Sequence, residues 1–351
     1  MLRVRLKDKH SKGLVGKSNS VNYVWNYINE LSTKSIRDRG IFLSGYDLQK
    51  YTVGVAKELG ITSQTVQMIG HEYATRRKQF KKSKLKWRVS RGSRRSLGWI
   101  PFSGQAIQLI NGQVRFNKTF YSIIDTYGLS KYKIKSGSFS EDSRGRWYLN
   151  VCVEVEAVKG MGTGSVGIDL GCKEAATDSN GDVVVGREYR KLEKKLATAQ
   201  RARNKRQVKT IHAKIKNRRA DTLHKYSRKL VNENAAIFVG NVSSSKLVKT
   251  NMAKSVLDAG WSSLKVMLKY KSDNACTHFE EINESYTTQI CSCCGENPDS
   301  SPKGRKDLNK RDWVCSLCGA EHDRDVNAAI NIRGRGLASL CGESPGFNHG
   351  E

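Results

Sequence analysis

Four cysteines near the end of the chain have the spacing of a zinc site. Cys291 and Cys294 form one CxxC pair, and Cys315 and Cys318 form another after twenty intervening residues. Two such pairs are typical of a zinc ribbon, in which four thiolates surround one ion. Because four thiolates leave no open coordination position, the predicted ion is structural. Cys293 makes the first pair ambiguous, but the two-residue gaps favour Cys291 with Cys294.

Two acidic residues could hold a different kind of metal ion. Asp169 lies in the apolar run 166–171, which indicates a buried strand where an unpaired charge is costly. It could also cap a turn with Gly171. Asp325 opens a predicted helix, where an acid can equally serve as a cap. Considered with the zinc ribbon, both are candidate ligands of Mg²⁺ or Mn²⁺, and two such ions can cleave phosphodiesters.

The charge of the chain indicates a polyanionic partner. Its 62 Lys and Arg against 33 Asp and Glu give a net charge of +29, which favours nucleic acid. An anionic membrane is the competing partner, but no basic amphipathic anchor or membrane-spanning run is visible. The N-terminus lacks the apolar core of a signal peptide, and the CxxC pairs favour metal thiolates over disulfides. The expected location is therefore the cytoplasm.

Two basic segments are the predicted nucleic-acid contacts. Residues 76–95 contain eleven Lys and Arg and no acid, and residues 187–230 contain 17 against three acids. A charged run is usually only a solvated face, but this many like charges repel one another unless phosphates lie against them. The predicted contact residues are Arg76, Arg77, Lys78, Lys81, Lys82, Lys84, Lys86, Arg201, Arg203, Lys205, Arg206 and Arg324.

Three kinds of region must position these residues. Residues 1–8 alternate like a strand, residues 17–82 are helical in pattern, and residues 97–160 indicate an all-β module. Strands and helices then alternate, with a long helical stretch over 187–230 and a helix over 252–271. Further strands are predicted near 166–171, 175–178, 183–185, 235–239 and 278–282. Carboxylates on such strands are typical of an RNase H-like α/β domain, and Trp25, Trp261 and Tyr286 are expected in cores.

Several further motifs accompany the two CxxC pairs: Val21–Glu30, Val166–Gly171, Leu257–Trp261, Tyr286–Cys291 and His322–Ala329. Together these motifs resemble one known family, the TnpB (OrfB) proteins of bacterial insertion sequences. These proteins are RNA-guided DNA endonucleases related to type V CRISPR effectors. The resemblance covers nearly the whole chain and is most specific in the C-terminal half.

The resemblance implies an α/β fold with a β-barrel and a helical lobe, in which a four-cysteine zinc ribbon interrupts a RuvC nuclease domain of RNase H type. The zinc ribbon would bind target nucleic acid. The implied boundaries are 1–14 for the first wedge strand, 15–92 for the helical recognition lobe, 93–160 for the wedge barrel, 161–289 for the first RuvC part with basic helices 187–234, 290–320 for the zinc ribbon, 321–336 for the last RuvC part and 337–351 for a tail.

One position departs from the family pattern. The second catalytic acid of the family usually ends the strand that corresponds to 235–240, where this chain has Gly240. Either the nuclease is inactive or the carboxylate comes from elsewhere. Relatives with a relocated glutamate exist, and Glu284 stands where many relatives have proline. Glu284 is therefore the predicted third ligand, with Glu281 and Glu280 as alternatives. Successive side chains of a strand point to opposite faces, so only one of these two alternatives could face the site. All three could instead be solvated acids.

The function that the resemblance implies is RNA-guided cutting of DNA flanked by a short motif. Asp169, Glu284 and Asp325 would hold two Mg²⁺ or Mn²⁺ ions, and one Zn²⁺ would be structural. The partners would be a guide RNA from the end of the element and a double-stranded target. The protein would be a nucleoid-associated bacterial monomer or homodimer.

Three further expectations remain open at this point. A nuclease-dead, RNA-guided transcriptional repressor is the alternative function, and Gly240 would explain it. Arg324 could contact the scissile phosphate or pair with Asp323. His322 is expected to make a structural hydrogen bond rather than to bind metal.

Overall fold

The chain divides into two compact units, which comprise Met1–Val155 and Glu156–Glu351. The computed structural model describes residues 1–242, 253–303, 307 and 309–342. The end of the predicted tail, from residue 343 onward, lies outside the described residues. Within those ranges, no helix combines the length and the apolar character that crossing a bilayer requires.

Helices dominate the first half of the first unit, as the sequence pattern predicted. They follow strand β1 (Leu2–Leu6) and comprise α1 (Ser11–Arg39), α2 (Gly45–Gln49), α3 (Val55–Glu58) and α4 (Ser63–Gln79). Helix α1 ends at Gly40, whose left-handed backbone lets its N–H bond the Ile36 carbonyl in a glycine cap. Trp25 of α1 is buried, as predicted, and packs edge-on against Tyr73 of α4.

A curled antiparallel sheet forms the rest of the first unit. With β1 it contains β2 (Trp99–Ser103), β3 (Ile107–Ile110), β4 (Gln113–Phe116), β5 (Thr119–Ile124), β6 (Lys133–Glu141) and β7 (Trp147–Glu154), in the order β2-β6-β7-β1-β5-β4-β3. Gly104–Ala106 alone joins the two edge strands, β2 and β3, so the sheet must curl until its edges approach. The sheet is therefore nearly closed, which agrees with the predicted β module.

The basic segment after α4 has no regular secondary structure and is fixed to α1 by asparagine side chains. Asn29 donates to the Leu85 carbonyl at 2.8 Å and accepts from the Leu85 N–H at 3.1 Å. Asn26 makes the same pair of bonds with Arg88, both at 2.8 Å. The backbone of this segment is therefore held in place while its lysine side chains stay exposed.

The second unit is built on a five-stranded sheet in the order β10-β9-β8-β11-β12. Strands β8, β11 and β12 run parallel, and β9 and β10 form an antiparallel hairpin with a turn at Gly181. Parallel strands are covered on both faces, which explains why β8 and β11 are nearly continuous apolar runs. The strands are β8 (Gly164–Asp169), β9 (Glu174–Asp178), β10 (Val183–Val185), β11 (Asn234–Gly240) and β12 (His278–Ile282).

The helices of this unit are more divided than the sequence pattern predicted. They are α5 (Glu188–Arg201), α6 (Lys205–Glu233), α7 (Ala253–Ala259), α8 (Trp261–Ala275) and α9 (Arg324–Leu340). The predicted stretch 187–230 is a hairpin of α5 and α6, because Arg203 between them is left-handed (φ 51°). The predicted helix 252–271 is interrupted at Gly260 (φ 74°), and its first residue lies outside the described residues.

Two further core predictions had different outcomes. Trp261 is buried, and its Nε1 donates to the Gly171 carbonyl at 2.9 Å. The prediction for Tyr286 was wrong, because its side chain is 57% exposed. Its left-handed backbone (φ 63°) turns the chain away from β12 and leaves the ring outside the core.

Candidate functional site

Acidic side chains meet at the carboxyl ends of the parallel strands. Asp169 is the last residue of β8, rather than a mid-strand residue as predicted, and Glu284 lies just beyond the end of β12. Strand β11 lies between these strands and ends at Gly240, opposite Ile282. Because parallel strands end at one edge of a sheet, all of these residues lie at the same edge.

Helix α9 brings Asp325 to this edge. The helix packs on β8 at Gly167, where a Cβ atom would lie 2.1 Å from the Ala329 carbonyl oxygen. Only glycine permits this approach, and Ala329 lies about one helical turn after Asp325. Asp323 caps the helix by accepting hydrogen bonds from the N–H groups of Asp325 and Val326, both at 2.9 Å.

Burial and the charges of the other two acids act on Asp169. Burial of the carboxyl group, followed by repulsion from Asp325 and Glu284, raises the pKa of Asp169 to about 7. Burial also raises the pKa of Glu284, although Lys265 and the Val242 N–H oppose the shift. A divalent cation would relieve this repulsion, and oxygen ligands fit Mg²⁺ or Mn²⁺ better than a thiolate-preferring ion.

The carboxylate of Glu284 occupies the space into which a side chain at position 240 would extend. A Cβ atom at Gly240 would lie 2.5 Å from Glu284 Oε2 and 3.4 Å from Glu284 Cβ. The two positions therefore compete for one volume. In this chain the carboxylate enters that volume from the segment after β12 instead of from the end of β11.

The two alternative glutamates, which both lie on β12, contact side chains of neighbouring helices. Glu281 Oε2 accepts a hydrogen bond from Lys265 Nζ at 2.7 Å. Glu280 Oε1 accepts from Ser339 Oγ at 3.1 Å. Of the three glutamates, only Glu284 contributes to the raised pKa of Asp169, so Glu284 stays the predicted third ligand.

The four cysteines come together as their spacing predicted. Their sulfur atoms all lie within 4.8 Å of one another, with 3.7 Å between Cys291 and Cys318 and 3.8 Å between Cys294 and Cys315. A tetrahedron with Zn–S bonds of about 2.3 Å has edges of about 3.8 Å, so the quartet fits zinc. Cys293 is exposed and lies outside the quartet.

The carboxylates are less closely grouped than the cysteines. Among the described residues, only the cysteine quartet brings three or more possible ligand atoms within 4.8 Å of one another. Acids that share one ion must approach this closely, whereas acids on opposite sides of two ions about 4 Å apart need not. The acid cluster is therefore compatible with a two-ion site rather than a compact one-ion site.

A short hairpin connects the cysteines to helix α9. Its strands, β13 (Asp312–Val314) and β14 (Glu321–Asp323), pair antiparallel. The rings of Trp313 and His322 pack with centroids 4.6 Å apart, and His322 Nε2 lies 3.0 Å from Cys291 Sγ. His322 thus has the hydrogen-bonded structural role that was predicted.

Two arginines hold the Asp325 carboxylate. Arg324 Nε donates to Asp325 Oδ1 at 2.9 Å, so Arg324 pairs with this acid, a partner that the sequence did not predict. Arg311 Nη1 donates to Asp325 Oδ2 and also to Glu174 Oε2, the latter at 3.2 Å. Sequence reasoning missed Arg311 and Glu174. The paired CxxC spacing predicts strands that flank the second pair, and this pairing could have placed Arg311 beside the start of α9.

Ten of the twelve predicted nucleic-acid contacts lie in two exposed groups; Arg77 and Arg324 do not. The tip of the α5–α6 hairpin carries Arg201, Arg203, Lys205 and Arg206, and the first unit exposes Arg76, Lys78, Lys81, Lys82, Lys84 and Lys86. The prediction for Arg77 needs correction, because this residue is only 6% exposed. Its guanidinium donates to Ser32 Oγ and to the Leu43 carbonyl, so it is an interior group.

Replacing Asp169 by Asn is expected to stabilise the protein in magnesium-free buffer. The acid has a reference pKa of 3.8, and its folded pKa is about 7. An acid whose pKa is higher in the folded than in the unfolded protein costs no stability below the unfolded pKa. Its cost grows as the pH rises above that value and is complete above the folded pKa. At pH 8, Asp169→Asn should therefore raise the free energy of unfolding by up to about 4 kcal/mol, with a smaller gain at pH 5.

Denaturant unfolding at the two pH values measures this difference. Added Mg²⁺ should raise the melting temperature of the unaltered chain and not that of Asp169→Asn, because a bound ion stabilises only the state that binds it. Glu280→Gln is the matched control, which should still respond to Mg²⁺. Equal stability gains at pH 5 and pH 8 would contradict the role given to the Asp169 charge.

Two family models match separate parts of the chain. Residues 149–251 match the OrfB_IS605 family model, described as "Probable transposase". Residues 261–332 match the Cas12f1-like, TNB domain model. The second match includes the four cysteines, Glu284 and Asp325.

Several relatives are named for nucleic-acid cutting. The chain is 34% identical over 221 residues to a candidate RNA-guided DNA endonuclease of Streptomyces pristinaespiralis, and the match covers 58% of this chain and 54% of the relative. It is 27% identical over 251 residues to the CRISPR-associated endodeoxyribonuclease Cas12f1 of Sulfoacidibacillus thermotolerans, covering 64% and 58%. The chain therefore matches just over half the length of these curated relatives.

A solved structure shares the fold. Cas12f1, solved by cryo-electron microscopy with sgRNA and target DNA, matches with a TM-score of 0.59 and 14% identity. The match covers 93% of this chain and 82% of that one. Together, the family models and relatives confirm the resemblance that the sequence motifs predicted: the chain is similar to the TnpB (OrfB) proteins.

Proposed function

We propose that this protein is an RNA-guided DNA endonuclease that hydrolyses phosphodiester bonds with two divalent metal ions. The observation that carries the proposal is the placement of Asp169, Glu284 and Asp325 at one edge of the five-stranded sheet, with Glu284 in the volume beside Gly240. The antiparallel β9–β10 hairpin beside parallel β8, β11 and β12 supports a RuvC-type, RNase H-like domain.

The three acids would hold Mg²⁺ or Mn²⁺, and Cys291, Cys294, Cys315 and Cys318 would hold Zn²⁺. Bound at the acids, two such ions supply an activated water and neutralise the leaving oxygen. Arg324 and Arg311 orient the Asp325 carboxylate through hydrogen bonds to its two oxygens. A zinc ion held by the quartet would fix the β13–β14 hairpin, which lies between Arg311 and the start of α9.

A guide RNA and a double-stranded target are the proposed partners. The relatives named as RNA-guided endonucleases support this assignment. The exposed cations at the tip of the α5–α6 hairpin would contact the backbone of a guide–target duplex, since such proteins recognise the duplex by shape and charge. The helices of the first unit would form the recognition lobe, and its curled sheet the wedge.

The competing proposal is a nuclease-dead repressor, which the absence of an acid at position 240 suggests. Its support is weakened by the Glu284 carboxylate, which lies where the missing side chain would extend. A repressor has no need for a buried acid whose pKa is raised by burial and by the charges of Asp325 and Glu284. The two proposals differ in one measurable property, which is cutting.

The test begins with the RNA that copurifies with the full chain. This RNA is sequenced, and the loaded protein is offered a plasmid library that carries the matching target beside randomised flanking bases. Cutting in Mg²⁺ at targets with one flanking motif is expected, with binding but no cutting in chelator. Binding without cutting in either Mg²⁺ or Mn²⁺ would establish the repressor, and cutting in chelator would exclude the metal mechanism.

A further inference from the structure

A groove of about 840 Å³ lies between α2 and the second half of α4 in the first unit. Aromatic and basic side chains dominate its lining, and no acidic residue is among the described residues that line it. The lining residues that matter here are Phe42, Tyr46, His71, Lys78, Lys81 and Lys82. The volume is within the range of about 300–1,000 Å³ that is usual for small-molecule sites.

Two exposed aromatic rings form one side of the groove. Tyr46 is 73% exposed and Phe42 is 61% exposed. The Tyr46 ring meets the His71 ring edge-on, with centroids 4.7 Å apart, so it is supported on one side and open on the other. Gly45 makes this support possible, because a Cβ atom there would lie 2.3 Å from His71 Nδ1. Exposed rings held in this manner are the platforms on which nucleobases stack.

The floor of the groove carries a buried positive charge. Arg77 lies beneath the Phe42 ring, 5.3 Å from its centroid, and its guanidinium bonds Ser32 Oγ and the Leu43 carbonyl. Both of these acceptors are neutral, so hydrogen bonding leaves the full charge of the guanidinium in place. A buried cation without a compensating carboxylate favours an anion in the adjacent space.

The rim of the groove adds three exposed lysines. Lys78 is in the last turn of α4, and Lys81 follows it with a left-handed backbone (φ 50°). The Lys82 N–H donates to the Arg77 carbonyl at 3.1 Å, which closes the end of the helix. The backbone that carries these lysines is therefore fixed, while their ammonium groups remain free to reach successive phosphates.

We propose that this groove binds an unstacked nucleotide of a single-stranded nucleic-acid segment. The base would stack on Tyr46 and Phe42, and the flanking phosphates would contact Lys78, Lys81 and Lys82. Stacking tolerates any base, so the groove contributes affinity without reading sequence. The inference rests on the nucleic-acid-binding part of the proposed function and is independent of the cutting chemistry.

The experiment uses the full chain freed of RNA, in buffer without Mg²⁺ so that cutting cannot occur. The probes are labelled oligothymidylate and oligouridylate, the same strands with 5-iodouracil for photocrosslinking, and a labelled polyglutamate peptide. Tyr46→Ala should weaken strand binding by about 5- to 100-fold and abolish crosslinks to the peptides that contain residues 42–46. Tyr46→Phe should keep both, because stacking needs the ring and not the hydroxyl.

Two comparisons make this result specific to the groove. Tyr27→Ala removes a 42% exposed tyrosine of α1 that does not line the groove, and it should leave binding unchanged. The logarithm of the binding constant falls linearly with the logarithm of the salt concentration, and each phosphate contact of a single strand contributes about 0.7 to this salt slope. The double variant Lys81→Ala, Lys82→Ala should therefore reduce the steepness of the slope by about 1.4. Tyr46→Ala should leave that slope unaltered, because the ring carries no charge.

Unchanged strand binding in Tyr46→Ala, with crosslinks confined to other peptides, would overturn the proposal. Loss of polyglutamate binding instead of strand binding would also overturn it, in favour of an acidic protein partner. Failure of the endonuclease proposal is a separate result, because it is read from cutting. A loaded protein that never cuts but retains Tyr46-dependent crosslinking would leave this groove assignment intact.

Discussion

Replacing Glu284 by Gln is expected to reduce target cutting by about a hundredfold or more while guide and target binding persist. The change keeps the size of the side chain and removes the charge that a hard cation requires. Loss of a group that merely supports a metal ligand costs roughly 10- to 100-fold, so loss of a ligand should cost at least as much. Initial rates of plasmid cutting in Mg²⁺, with binding measured in chelator, separate the two effects.

The shared volume beside Gly240 allows a sharper version of this experiment. A Cβ atom at position 240 would lie 2.5 Å from Glu284 Oε2, so a side chain at position 240 enters the space beside the acid cluster that the Glu284 carboxylate occupies. Glu284→Ala combined with Gly240→Glu should therefore recover at least tenfold of the lost cutting. Gly240→Glu alone should impair cutting, because two glutamates would then compete for one volume and repel each other.

The neighbouring glutamates of β12 supply matched controls. Glu280→Gln and Glu281→Gln each remove the same charge from β12, a few residues before Glu284. Glu280 has its own partner in Ser339, and Glu281 has its own partner in Lys265. Both variants should cut at nearly the unaltered rate. If cutting survives Glu284→Gln and is lost in Glu281→Gln, the third ligand has been assigned to the wrong residue. If all three variants cut normally, the acid cluster is not the catalytic site.

Replacing Cys315 by Ser is expected to unfold the zinc ribbon and to abolish most cutting. The buried core of the ribbon consists of Cys291, Trp313 and Cys315, which is too small to be stable without a bound metal. Structural zinc contributes apparent free energies of about 10–16 kcal/mol in small zinc modules. Zinc content should fall from one ion per chain to none, and amide hydrogen exchange over 291–323 should become rapid.

The loss should reach the acid site through specific hydrogen bonds. The Arg324 N–H donates to the Arg311 carbonyl at 2.7 Å, and the Ser292 N–H donates to Asn327 Oδ1 on α9 at 2.9 Å. An unfolded ribbon releases Arg311 and the start of α9, which carries Asp325. We therefore expect cutting to fall by about a hundredfold or more, although the ribbon holds none of the three acids.

Cys293→Ser is the control for this prediction. Cys293 lies between the quartet members Cys291 and Cys294 but is exposed and outside the quartet, so its variant should retain zinc, amide protection and cutting. A zinc-free Cys315→Ser protein in which the amides of 291–323 remain protected would contradict the structural role of the metal. If the zinc-free Cys315→Ser protein still cuts at the full rate, the proposed coupling between the zinc ribbon and Asp325 is wrong.

Features fixed by short-range chemistry could be predicted from the sequence. The zinc quartet follows from two CxxC pairs, because the spacing of the ligands determines which sulfurs can reach one ion. The apolar run 166–171 around Asp169 predicts a buried strand, although not the residue at which it ends, and the Asn180-Gly181 pair predicts a hairpin turn after it. These signals lie within a few residues of one another, so no knowledge of packing was needed.

Contacts between distant segments were decided only by the tertiary structure. Gly240 and Glu284 share one volume because β11 and β12 lie side by side, and the sequence alone left three glutamates open. Arg77 belongs to a run of exposed cations, yet packing against α1 buries it. Arg311 reaches Asp325 and Glu174 through the folded hairpin. Side chains that meet across the fold carry no periodic signal along the chain, and their partners emerge only when helices and strands pack.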